Sequence, residues 1–527
     1  MLAKDQALGL WNLAGISPNL TVVVSPHKDT TYAELTNLTN KIANGFVNLG
    51  LKKADKIALV CKNNIEFLSV VLAGLQSGIY IIPINHHATD KNIGYILKDS
   101  GAKLLVVDPE FINQCEAGIA HNNLEVIRCC TAKHEGYLEF YDFFNQFDEI
   151  RPQRTLGGQI LQYTSGTTGN PKGVLRPIKR RSADDLAIEQ TKILEVFKID
   201  VGHGVHLVTS PLYHTAVMNI AISALHIGQK VVLMEKWDEV KCLELIQSHK
   251  VTSSHMVAAQ FYRLLSLSKK IRRGYDCSSL SNIIHGAAPT PINIKKEMIA
   301  WWGEVIYEYY GSTEVGATII DSKTWQKKVG SVGVPMPGSS LKILDKSKKE
   351  VSVGTQGLVY MKMSGQSFEY FNDKKKTDKS THLDFICVGD IGFVDNDGFL
   401  FLCGRDAEVI ISGGVNIYPN EIEARILEHP SILDVGVIGV PDIEYGEQVK
   451  AVAMRNNLHH EVSDAQLELE IINFCKKGLS HILCPKSVDF VTNLPRDPSG
   501  KLYKQELKKK YENKEDLLTM NSTISDL

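Results

Sequence analysis

Residues 163–174 read YTSGTTGNPKGV, a composition suited to cradling a polyanion. Gly166, Gly169 and Gly173 let the backbone turn tightly enough for several N–H groups to face one anion. Thr164, Ser165, Thr167 and Thr168 add hydroxyl groups, and Lys172 adds a point charge. A polar surface turn is the bland alternative. A string of this length and order is far more specific than a generic Gly/Ser/Thr loop. It is not the GxxxxGK[ST] phosphate loop, which does not occur in the chain.

This string resembles the signature loop of the adenylate-forming superfamily: acyl-CoA synthetases, peptide-synthetase adenylation domains and beetle luciferases. The resemblance runs from about residue 31 to residue 504, and six further motifs follow in the family's order. HGAAP at 285–289 implies that adenine lies against Gly286, Ala287 and Ala288. YYGSTE at 309–314 implies that Tyr310, next to Gly311, stacks on adenine, that Thr313 contacts the α-phosphate, and that Glu314 supports Mg²⁺. Magnesium favours one or two carboxylates plus phosphate oxygens. Asp390, which sits before an apparent strand pair at 391–394 and 399–403, is implied for the ribose hydroxyls, and Arg405 for the ribose and phosphates.

By the same resemblance, GRDAE at 404–408 is a hinge about which a second domain swings. The family usually carries Asp or Lys at the pivot; this chain has Ala407, flanked by Asp406 and Glu408. ISGGVNIYP at 411–419 implies that Gly413 and Gly414 line a tunnel for a pantetheine arm. PRDPSGK at 495–501 implies that Lys501 reaches the cleft during adenylation, where losing one electrostatic donor costs about 10²–10³ in rate.

The implied reaction consumes ATP with Mg²⁺, joins a carboxylic acid to AMP, and passes the acyl group to a thiol. Residues 502–527 are too few for a carrier domain, so coenzyme A is the expected acceptor. SPLYHTAV at 210–217 lacks the Asp with which peptide-synthetase domains hold an amino group, and His214 is expected to border the acyl pocket and thiol tunnel. Ala216, Val217, Ala287 and Val315 are apolar candidate walls, which favours a fatty or aryl acid. An acyl-AMP ligase serving a separate carrier protein and a luciferase-like oxygenase share the first half-reaction.

Such a site needs elements to hold it. Leu35, Leu38, Ile42, Phe46 and Leu49 mark one helical face ending at Gly50. Short apolar runs at 57–61, 80–84, 104–107, 231–233 and 283–284 alternate with helical stretches, such as 67–75. That alternation predicts an α/β fold with largely parallel sheets. The chain divides into an ATP- and acid-binding domain over 1–404 and a small, mobile α+β domain over 405–527. In the latter, strands are expected at 409–412 and 435–440, and helices at 421–428 and from Ser463 to about Lys477, with Ser463 and Gln466 in capping-box spacing. The charged run 373–379 reads as a solvated loop, and the tail from about Lys508 as frayed.

With 58 basic and 60 acidic residues the chain lacks the global basic field that holds nucleic acid. No apolar run reaches the ~20 residues that cross a bilayer. The ten cysteines form no CxxC pair, which suits a reducing cytoplasm.

Overall fold

The computed structural model describes residues 8–153, 155–164, 170–312, 314–365, 367–456, 462–496 and 502–511. Among these, the strands form four sheets. Two carry the expected parallel order. In the first, Ile306–Gly311, Asn282–His285, Ser253–Met256, Val205–Val208, Lys230–Leu233 and Thr21–Val24 run parallel. Antiparallel strands then extend this sheet from Ala317–Asp321 to Leu400–Arg405, Phe385–Val394 and beyond. The second sheet is parallel throughout and centres on Lys56–Val60, between Leu104–Val107 and Tyr80–Pro83.

The main core lies where helices Tyr32–Asn48, Ile65–Ser77 and Thr215–His226 pack between these sheets. The helix Tyr32–Asn48 begins at a reciprocal capping box, with Thr31 accepting from the Glu34 amide and the Glu34 carboxylate accepting from the Thr31 amide. Leu35, Ile42 and Phe46 on its predicted face are buried, each contributing about 1.5–3 kcal/mol relative to exposure. Helix Ile65–Ser77 is apolar on all sides and buried along most of its length, as a helix wedged between two layers must be.

The third sheet is small. Gln162–Thr164 and Lys172–Leu175 form an antiparallel pair, and Glu369–Tyr370 adds to the latter. The fourth belongs to the C-terminal part, where Ile432–Asp442 and Gly446–Arg455 form a long hairpin beside Ile410–Ser412, Val415–Ile417 and Ser487–Phe490. Its own core gathers Ile410, Ile422, Ile426, Val437, Ala451, Leu467 and Ile471.

Four local expectations are corrected. The charged run at 373–379 is a helix, Lys374–Ser380, because the Asp373 side chain caps it by accepting from the Lys376 amide. Asp390 does not precede a strand but lies inside Phe385–Val394, whose length the charged and polar residues conceal. The cap at Ser463 is one-sided: its hydroxyl accepts from the Gln466 amide, while the Gln466 side chain turns to Glu470. Residues 504–511 are helical, and Leu507 anchors them in a buried apolar cluster, so the helix runs past Lys508, where fraying was expected to begin; the rest of that tail, 512–527, lies outside the described residues. None of the helices among the described residues is long and apolar enough to cross a membrane.

Candidate functional site

A cleft of about 2010 Å³ opens where the third sheet, the antiparallel end of the first sheet and the C-terminal part meet. The pairing Thr164↔Lys172 brings the two ends of the Gly/Ser/Thr loop together. Ser165, Gly166, Thr167, Thr168 and Gly169 lie outside the described residues; Thr164 and Pro171 beside them line the cleft. Lys172 itself is not among the lining residues. Its ammonium meets Asp373 Oδ2 at 2.9 Å, a contact that raises its pKa above the usual lysine range.

The strand Asn282–His285 ends where the cleft begins. A side chain at Gly286 would bring its Cβ within 2.6 Å of the Tyr309 ring and 2.7 Å of the Tyr309 carbonyl, so this glycine admits the neighbouring strand as much as any ligand. Ala287 follows with φ 68°, an uncommon conformation for a residue with a side chain, and lines the cleft. Ala288 is not among the lining residues.

The parallel neighbour Ile306–Gly311 carries Tyr310, whose phenol donates to Asp390 Oδ2 at 2.6 Å. The other carboxylate oxygen, Oδ1, is 3.1 Å from Arg405 Nε. Asp390 and Arg405 are register partners on adjacent antiparallel strands, so sheet pairing sets this ion pair. Burial and the Asp390 charge together push the Tyr310 phenol well above its ordinary value and keep it a donor.

Glu314 is buried, and its Oε1 accepts from the Tyr370 phenol at 3.1 Å. Tyr370 stands on the short strand Glu369–Tyr370, placed by its pairing with Val174. Burial and Glu314 push this phenol up as well. Lys376 lies 4.5 Å from the centre of the Tyr370 ring, and its pKa is lowered by burial against the opposing pull of Glu314. Arg176 is also lowered by burial while Glu314 opposes the shift. Sequence reasoning missed Tyr370, Arg176 and Lys376. Arg176 lies two positions past a motif already singled out, which was the available signal; the other two are made neighbours by tertiary pairing.

Thr313 and Lys501 lie outside the described residues; Ser312 and Glu314, and Arg496 and Leu502, line the cleft on either side of them. His214 lines the cleft at the N-terminus of helix Thr215–His226, its ring 4.4 Å from that of Tyr213. Ala216, Val217, Val315 and Gly311 line it too, with Phe197, Ile220 and Asn219. Arg405 and the whole 406–408 turn reach it, whereas Gly413 and Gly414 do not. Those two form the two-residue turn of a hairpin in which Ser412 pairs with Val415. Their φ values of 56° and 79° suit a turn that needs left-handed backbone at both positions.

The donor set fits magnesium that arrives with a polyphosphate. One buried carboxylate faces the cleft, and among the described residues no cluster of three or more His, Cys, Asp or Glu could cage an ion alone.

Comparison with known proteins gives the family and the fold. The chain is 28% identical over 516 residues to a 2-succinylbenzoate–CoA ligase of Geobacillus sp. (strain WCH70), covering 96% of this chain and 98% of that one. It is 28% identical over 520 residues to a long-chain-fatty-acid–CoA ligase of Mycobacterium tuberculosis, covering 94% and 97%. The o-succinylbenzoate CoA synthetase of Bacillus subtilis, solved with its acyl-adenylate intermediate, superposes with a TM-score of 0.80 at 25% identity over 95% and 97% of the two chains. Residues 11–371 match the AMP-binding enzyme family and residues 421–501 match the AMP-binding enzyme C-terminal domain, and the chain is therefore a member of the AMP-binding, adenylate-forming enzyme family.

Proposed function

We propose that this enzyme is an acid–thiol ligase. It activates a carboxylic acid with ATP as an acyl-adenylate, releasing pyrophosphate, and then transfers the acyl group to coenzyme A, releasing AMP. The observation that carries the reading is the convergence on one cleft of two separately built groups. One is Arg405, which lines the cleft and, with Tyr310, holds Asp390, neither of these two being among the lining residues; the other is Glu314 held by Tyr370, both of which line it. The first suits a ribose and its phosphate, since a carboxylate accepts from vicinal hydroxyls and a guanidinium pairs with phosphate. The second suits the cation of a metal–nucleotide complex.

In this reading the acid attacks the α-phosphorus in line, and the residues do the positioning. Tyr310, Gly286, Ala287 and Ala288 hold the adenine, and Thr313 orients the α-phosphate. Thr164, Ser165, Gly166, Thr167, Thr168, Gly169 and Lys172 grip the outer phosphates. Glu314 holds Mg²⁺, which supplies charge neutralisation on the departing oxygens. Lys501 neutralises charge between carboxylate and phosphate. The C-terminal domain then turns about the 404–408 hinge, withdrawing Lys501 and bringing the Gly413–Gly414 hairpin to the cleft for the thiol, with His214 at the junction. The apolar lining by Val217, Ile220, Phe197 and Val315 favours a fatty or aryl acid, as do the two ligases named above.

The test is a pyrophosphate-release screen over fatty, aryl and branched acids, with and without coenzyme A. Acid-dependent release together with a coenzyme A thioester product supports the reading. Adenylate formation without any thioester from free coenzyme A transfers the second step to another acceptor. No acid-dependent exchange of labelled pyrophosphate into ATP removes the reading altogether.

A further inference from the structure

Lys172 is the cation of the Gly/Ser/Thr loop, yet its ammonium is held by a carboxylate from outside that loop. Asp373 divides its two oxygens. Oδ1 accepts from the Lys376 amide at 3.1 Å and caps the helix Lys374–Ser380; Oδ2 meets Lys172 Nζ at 2.9 Å. Sheet pairing sets the contact, because Val174 and Leu175 are in register with Tyr370 and Glu369, and the Phe371 amide donates to the Gly173 carbonyl. The Lys172 and Asp373 side chains are only partly buried, 30% and 26% exposed, so the pair can exchange partners without unfolding anything.

Two anions compete for one cation here. A triphosphate gripped by the loop needs Lys172, and a fixed carboxylate within reach of the same ammonium opposes it twice, by occupying the lysine and by repelling the phosphates. When pyrophosphate leaves, the same carboxylate is in place to take the lysine back.

We propose that Asp373 is a positioning residue that acts through Lys172 as a built-in substitute for phosphate, weakening ATP and pyrophosphate binding and so easing pyrophosphate release after adenylation. This rests on the reading of Lys172 as a phosphate-binding group. The helix cap separates from the charge effect, because an asparagine at 373 keeps an acceptor for the Lys376 amide while losing the negative charge.

The experiment compares wild type, Asp373→Asn, Asp373→Glu and Lys172→Ala in the full chain. ATP–pyrophosphate exchange gives KM for ATP and the inhibition constant of pyrophosphate, and preformed acyl-adenylate gives the thioester half-reaction. Asp373→Asn is expected to lower both the KM for ATP and the pyrophosphate inhibition constant by about two- to fivefold, the range of a partly exposed ion pair. Asp373→Glu restores values towards wild type, and the thioester half-reaction is unchanged in both. Unchanged or raised constants in Asp373→Asn, with Lys172→Ala impaired in exchange, overturn the proposal and leave the reading of Lys172 intact. Wild-type exchange by Lys172→Ala removes that reading and the proposal with it.

Discussion

The Tyr310 phenol and the Asp390 carboxylate, eighty positions apart in the chain, are joined by a 2.6 Å hydrogen bond, and Arg405 holds the other oxygen of the same carboxylate. Asp390 is thereby fixed in one orientation at the cleft edge. Tyr310→Phe removes one of its two anchors while preserving the ring. A hydrogen bond to a charged group is worth about 1.5–3 kcal/mol. The KM for ATP in pyrophosphate exchange should rise by at least about tenfold, with little change in thermal stability.

Tyr370 plays the corresponding part for Glu314. Tyr370→Phe leaves a buried carboxylate without its phenol donor. The Mg²⁺ concentration giving half-maximal adenylation should shift, and kcat for adenylation should fall by about tenfold. A magnesium titration at saturating ATP checks both.

Lys501→Ala should slow acyl-adenylate formation by about 10²–10³ and leave thioester formation from preformed adenylate nearly intact. Single-turnover measurement of each half-reaction decides it, and equal loss in both steps rejects the assigned role.

At the strands Asn282–His285 and Ile306–Gly311 lies a buried ion pair. Lys295 Nζ is 2.5 Å from Glu308 Oε2, with His285 Nε2 3.6 Å from the same oxygen and the Trp325 ring 4.5 Å from the ammonium. Burial pushes Lys295 below and Glu308 above their ordinary values, and each partner opposes the shift of the other. Lys295→Met strands the carboxylate and should cost about 3–5 kcal/mol. Lys295→Met with Glu308→Leu removes both charges and should recover most of that loss. Urea midpoints of the three proteins test this.

His206 and His226 are fully buried, and burial lowers each from 6.5 to about 3. Below pH 6.5 the unfolded chain binds protons that the folded chain refuses. Stability is therefore complete above 6.5 and lost as pH falls from there towards 3, by up to about 1.4 kcal/mol per pH unit for each histidine. Denaturation midpoints should drop between about pH 7 and pH 5, the range in which unperturbed histidines charge. His226→Asn should flatten that slope.

How much was legible beforehand differs from element to element. The strands at Lys56–Val60, Tyr80–Pro83 and Leu104–Val107 are apolar on both faces, so a parallel sheet covered on both sides follows from local pattern. Phe385–Val394 is half-buried along most of its length and opens with mixed residues, and its extent was missed. The helix Lys374–Ser380 was missed because a capping Asp and a charged run read alike as a solvated turn.

Residue order alone determined the family and the alternating α/β plan, and it named the candidate site residues, because glycine placement, hydroxyl spacing and lysine position act within a few residues of one another. Tertiary structure decided which of those groups meet. Tyr310 finds Asp390, Tyr370 finds Glu314, and Asp373 takes Lys172 through strand pairings that join distant segments. Such contacts depend on sheet register, and register is set by packing across the whole core rather than by neighbours along the chain.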